Sequence, residues 1–186
     1  TISRNPVWKD DFTLFTSDVN ISTESAKCNT SAGGMNYEKG EKEKDSLVKI
    51  ELYHKAIPYL EKAISLHPKY FAAWLLYGNT LMGLEQYDQS LQAYINGYKL
   101  TSSKDALNNM FVVVQNSERR KRYDVAKMAI NTLLHYQPNN TDYKYELAVI
   151  YDNIQKPDSA VIILNELLKT STKKASIYSK LGEVYG

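Results

Sequence analysis

The stretch that decides the fold is His67–Leu100, HPKYFAAWLLYGNTLMGLEQYDQSLQAYINGYKL. Laid over the residues before and after it, it comes back into register. A small residue early in a second helix falls at Ala56, Ser90, Ala126 and Ala160. One turn on, a large apolar residue falls at Leu60, Tyr94, Ile130 and Leu164, and the next turn gives Ala63, Gly97, Leu133 and Leu167. The helix then stops at Pro68, Ser102, Pro138 and Thr172. A first helix repeats likewise, through Tyr77-Gly78, Phe111-Val112, Leu147-Ala148 and Leu181-Gly182, so that every row steps by 34, 36 and 34 residues. Helical spacing dominates throughout, while alternating strand patterns and Asn-Gly or Asp-Gly hairpin turns are lacking.

Around this repeat the composition is plain. In 186 residues, 23 Lys and Arg nearly balance 21 Asp and Glu, so no strong net field draws the chain to nucleic acid or to a charged membrane. Cys28 is the only cysteine, which excludes an internal disulfide and a thiolate metal cluster. No apolar run approaches the roughly 20 residues of a membrane span. The chain starts TISRNP without Met and ends KLGEVYG inside a helical pattern, which predicts a segment of a longer protein.

The repeat resembles the tetratricopeptide repeat (TPR) family, whose unit is a pair of antiparallel helices with a period near 34 residues. Trp74, Tyr77, Gly78, Leu81, Tyr87, Tyr94 and Gly97 carry the match in the unit Phe71–Lys104. Small residues there let helices approach, and large ones fill the space opposite. The resemblance implies an all-α, TPR-type α-solenoid of antiparallel helix pairs, with units at about 26–70, 71–104, 105–140 and 141–174 and the first helix of a fifth from Ala175.

Two units depart from the pattern. The third is expected to hold two extra residues before its second helix. In the first, Ala56 follows Gly33 by 23 residues where Ser90 follows Gly78 by 12. The surplus of 11 predicts an elongated second helix from Asp45 or Ser46, with Leu47, Ile50, His54, Ile57 and Leu60 continuing its apolar stripe. EKGEKEKD, residues 38–45, then reads as a solvated, mobile turn.

In such arrays the first helices line the concave side, where ligands of the family lie. Helix geometry places Leu75, Asn79 and Met82 there, followed by Asn109, Val113 and Asn116, and then Tyr145, Val149 and Asp152. This mixed apolar and amide surface suits a peptide or protein partner. The carboxylate clamp of the co-chaperone branch needs Lys, Arg and Asn at places held here by Thr30, Gly34, Ala106 and Met110, which disfavours a chaperone C-terminus.

Before the repeats, RNPVWKDDFTLF (4–15) sets Trp8, Phe12 and Phe15 on one helical face. A short N-terminal capping helix within residues 1–25 would cover the open end of the first repeat. Arg4, Trp8, Asp10, Asp11, Leu14 and Phe15 also resemble the junction of transmembrane-and-TPR proteins. That resemblance implies a membrane portion upstream and repeats on an extracytoplasmic face, periplasmic or lumenal, with a cytoplasmic location as the alternative.

Signals for chemistry are sparse. His54, His67 and His135 lack metal-ligand spacing, and His67 and His135 fall near second-helix C-termini, where positive charge suits the dipole. No phosphate-binding glycine loop or nucleophile elbow occurs. RRKR, Arg119–Arg122, reads as solvated surface in a turn. Asn20, Asn29 and Asn139 begin N-x-S/T sequons. The expectation is a non-catalytic interaction module for a protein or peptide, with no cofactor, no metal and no nucleic acid. The alternative is a substrate-selecting accessory domain of a multi-spanning membrane glycosyltransferase.

Overall fold

Side-chain oxygens mark several helix starts. Ser25 accepts from the Cys28 N–H at 3.2 Å and opens α1, Ala26–Lys42. Asp45 accepts from the Leu47 and Val48 N–H groups at 2.8 and 3.3 Å and opens α2, Ser46–Leu66. Asn140 does the same for Asp142 and Tyr143 at 3.0 and 3.1 Å, at the head of α7, Thr141–Asn153. Each satisfies backbone donors that a helix end otherwise leaves bare. The remaining helices are α3 (Phe71–Gly83), α4 (Tyr87–Thr101), α5 (Lys104–Arg119), α6 (Tyr123–Tyr136), α8 (Pro157–Thr170) and α9 (Lys174–Tyr185). Pro157 sits in the first turn of α8, where its missing N–H costs nothing.

The structure is a computed structural model that describes residues 22–185, and among these residues every regular element is a helix. Among them α1 packs on α2, α3 on α4 and α7 on α8, with α9 against α8. Two compact units divide the chain, the first ending at Ala106 and the second starting at Leu107.

In the first unit Tyr53, fully buried on α2, stands between two glycines. A Cβ on Gly40 of α1 would lie 2.7 Å from the ring, and one on Gly83 of α3 only 2.4 Å. Tyr37 stacks on the same ring at 5.7 Å. Within α3/α4, Tyr94 lies against Gly78 and Ser90 donates to the Gly78 carbonyl at 2.8 Å. The second unit is filled by aliphatic chains. Ala148, Ala160, Leu164, Leu167, Ile177 and Leu181 form one cluster, with Tyr145 and Tyr151 packed on it. Each fully buried Leu or Ile contributes about 1.5–3 kcal/mol.

A left-handed residue closes each regular turn between paired helices: Glu85, Lys121 and Gln155 all have φ of 58°. Their spacing repeats the 36 and 34 of the sequence rows.

Three expectations change. Residues 38–42 of EKGEKEKD are helical, because α1 runs to Lys42 and only Glu43–Asp45 turn the chain. The surplus residues lengthen both helices of the first pair, and Gly40 is there to admit Tyr53. On α2 the buried stripe is Leu52, Tyr53, Ala56, Leu60 and Ala63. Leu47 and Ile50 are 79% and 44% exposed, on the side of α2 away from its buried stripe.

The third correction concerns register. Counted back from the left-handed turn residues, Gly78 and Ala148 correspond to buried Val114, and Val112 is exposed. The two extra residues of the third unit therefore precede the packed part of α5. Consistently, α5 has 16 residues where α3 and α7 have 13. The elongated second helix from Ser46 with an Asp45 cap and the RRKR turn stand as expected. The proposed capping helix with Trp8, Phe12 and Phe15, and the junction motif, lie outside the described residues.

Candidate ligand-binding face

On the first helix of the second pair, Leu75, Asn79 and Met82 are half-buried, as a recessed face requires. The Asn79 Oδ1 accepts from the Tyr94 hydroxyl at 2.8 Å, which ties this amide to the second helix of its own pair. Burial pushes the Tyr94 hydroxyl well above the usual tyrosine range, so it stays a donor.

The register of α5 alters the set taken from the third unit. Val113 is fully buried and packs in the core, so it is not available to a partner. Asn109 and Asn116 are half-buried, but Asn116 serves its own helix, donating to the Val112 carbonyl at 3.0 Å and accepting from Arg119. Moving the third-unit triplet by two residues replaces Asn109, Val113 and Asn116 with Phe111, Gln115 and Glu118. These correspond to Tyr145, Val149 and Asp152 of α7 after a step of 34.

The side chains confirm the shift within the second unit. Phe111 and Tyr145 line one cavity of about 400 Å³ together with Asp142, Glu146, Leu167 and Ile177. Its rim carries the ion pair Lys173 Nζ–Asp142 Oδ1 at 2.7 Å. Behind Tyr145 the face turns polar. Glu118 of α5 hydrogen-bonds to Glu146 of α7, and its Oε1 accepts from the Asn153 amide at 3.3 Å. Lys180 of α9 reaches Asp152 at 2.7 Å and Glu183 at 3.2 Å.

Two like carboxyls in a half-buried place cannot both ionise freely. Burial, then the hydrogen bond and charge of Glu146, raise the Glu118 pKa to about 8, against the opposing pull of Asn153 and Lys180. For Lys180 burial works the other way, yet the bonds and charges of Asp152 and Glu183 outweigh it and raise the ammonium's pKa. Glu118, Glu146 and Lys180 were missed from sequence. The corrected repeat spacing would have found Glu118 opposite Asp152, but the pairing of side chains from different helices leaves no periodic signal.

Other candidates fall away. Asn29 is 3% exposed and its amide donates to the Thr23 and Ser25 carbonyls, so its sequon is closed to a glycan. Among the described residues no group of three or more His, Cys, Asp and Glu is placed to hold a metal ion, and no helix is long and apolar enough to cross a membrane.

This fold and face define a class, the all-α solenoid built from antiparallel helix pairs. Residues 51–95 match the tetratricopeptide repeat family. That match lies within the run of helix pairs, and the fold as a whole is a TPR-type α-solenoid. Among solved structures it is similar to a chain of the Naa15/Naa10 complex bound to HypK-THB, at 15% identity and a TM-score of 0.59. That match covers 90% of this chain, which spans only 24% of the other. MamA is similar at 15% identity, with 89% and 83% of the two chains covered and a TM-score of 0.57. YrrB, a TPR protein with an unusual peptide-binding site, is similar at 13% identity, 92% and 81% coverage and a TM-score of 0.51. At such identities these likenesses speak for the fold. No curated protein matches the sequence.

Proposed function

We propose that this chain is a non-catalytic interaction module whose first-helix faces bind a peptide or a protein segment. The observation that carries this reading is the cavity of about 400 Å³ lined by Phe111 and Tyr145, successive members of one repeat position. Its volume falls in the range of ligand-binding pockets, and it combines apolar walls with a few directed polar groups. The peptide-binding site named for YrrB agrees with it. The test is affinity capture with the chain and with a triple variant, Leu75→Ala, Asn79→Ala and Tyr145→Ala. Loss of the same captured partners at unchanged helicity is expected, with a lowered melting point because Asn79 holds the Tyr94 hydroxyl and Tyr145 packs on the core; undiminished capture overturns the assignment of these faces.

A second reading places the module in a larger membrane protein, on its extracytoplasmic side, as a substrate-selecting part of a glycosyltransferase. It is favoured by Arg4, Trp8, Asp10, Asp11, Leu14 and Phe15, the residues that resemble the membrane-to-repeat junction. The parent gene decides it: about eight or more apolar spans of roughly 20 residues should precede Thr1, and a parent without them removes this reading.

A further inference from the structure

The cavity of the second unit has a chemical bias. Phe111, Tyr145, Leu167 and Ile177 supply apolar wall, and Glu146 supplies a carboxyl at its polar side. Around that carboxyl the charges are already distributed. From α5 comes Glu118, bonded to Glu146 and to Asn153. On α7 itself, Asp142 is taken by Lys173 and Asp152 by Lys180. From α9, Lys180 divides itself between Asp152 and Glu183. From α6, Lys127 stands over the Tyr151 ring at 5.0 Å. Leu167, the α8 residue of the cavity wall, brings no charge. Lys173 is thus paired with Asp142 on the cavity rim, Lys180 and Lys127 are engaged outside its lining, and the two glutamates bond to each other.

We propose that this cavity seats a lysine or arginine side chain of the bound peptide, its aliphatic stem against Tyr145 and Ile177 and its cationic head on the Glu146–Glu118 pair. The inference rests on the peptide-binding reading above and names the residue that reading leaves open. A long basic side chain fits both halves of the seat, since it buries an apolar stem and keeps its charge at one end. Arginine suits it best, because a planar guanidinium can give parallel hydrogen bonds to carboxylates. A head group that arrives with its own positive charge displaces the proton between the glutamates, and that proton leaves to the buffer. Binding is therefore linked to pH and tightens as pH rises towards the range where the pair ionises by itself.

The test uses the full chain and three probes, acetyl-Leu-Arg-Leu-amide, acetyl-Leu-Lys-Leu-amide and acetyl-Leu-Gln-Leu-amide, in calorimetric titrations at about pH 6 and about pH 8.5. The arginine peptide should bind about tenfold or more tightly than the glutamine peptide at the higher pH, as one charge-assisted hydrogen bond accounts for. The advantage should shrink at the lower pH. Repeating the titration near neutrality in buffers of different ionisation enthalpy should reveal proton release. Glu146→Gln, with melting unchanged, should bring the arginine peptide down to the affinity of the glutamine peptide. Glu118→Gln should retain binding and abolish the proton release. Equal affinities for the basic and neutral peptides overturn the cationic occupant and leave peptide binding by this face standing. No binding by any of the three overturns the seat, and the capture test then decides separately whether the face receives a partner.

Discussion

The two units fill their interiors by different means. In the first, tyrosine rings press on helical glycines: Tyr53 lies between Gly40 and Gly83, and Tyr94 against Gly78. Cβ positions at Gly83 and Gly78 would come within 2.4 Å of those rings. In the second unit alanine takes the place of glycine at Ala148, and branched chains such as Leu164, Leu167 and Ile177 do the filling. Gly182, one repeat after Ala148, has nothing within 4 Å of its would-be Cβ. The same repeat position is thus a tight ring contact in one unit and open space in the other. A shared period guarantees equivalent backbone positions but not equivalent tolerance.

The largest effect expected from this contrast is at Tyr53. Tyr53→Ala removes a fully buried ring held between two helices and should destabilise the chain by about 3–5 kcal/mol in denaturant unfolding. A loss below about 1 kcal/mol would show that the surrounding helices close over the gap. Next comes the matched pair Gly78→Ala and Gly182→Ala. The first should cost about 1–3 kcal/mol because the added methyl drives into Tyr94, while the second should be neutral or stabilising by up to about 1 kcal/mol through helix propensity alone. Similar costs at both sites would erase the distinction between the units.

The smallest effect belongs to the charged face of the second unit. Glu118 holds its proton more tightly folded than unfolded, since its pKa is raised to about 8 by burial and by Glu146. Its contribution to stability is therefore complete below the ordinary carboxylate range and is lost as pH rises through about 8. Solvent reaches the group, so the change is modest. Glu118→Gln should melt close to the parent at about pH 5 and above it at about pH 9. Parallel melting curves across that range would mean that the two carboxyls do not repel.

How far the site could be seen in advance follows the same division. Leu75, Asn79, Met82, Tyr145, Val149 and Asp152 come from helix periodicity, and each is half-buried on its first helix. Val113 went astray because a length difference of two residues can be placed on either side of a helix without disturbing the rows at 34 and 36. Only the left-handed Lys121, in line with Glu85 and Gln155, shows that the difference precedes the packed part of α5. The run at 38–45 misled for a related reason: a glycine among charges reads as a turn, whereas Gly40 is helical and lies against Tyr53.

By itself the sequence determined the helix pairs, their period and those ends that a cap or a proline marks, because burial every third or fourth residue, caps and prolines act within a few residues of one another. The tertiary structure alone decided which face of α5 is inside, why Gly40 is needed, and that Glu118 meets Glu146 beside the Tyr145 cavity. Those are contacts between side chains on different helices, set by how the helices lie against each other, and a one-dimensional period does not encode them.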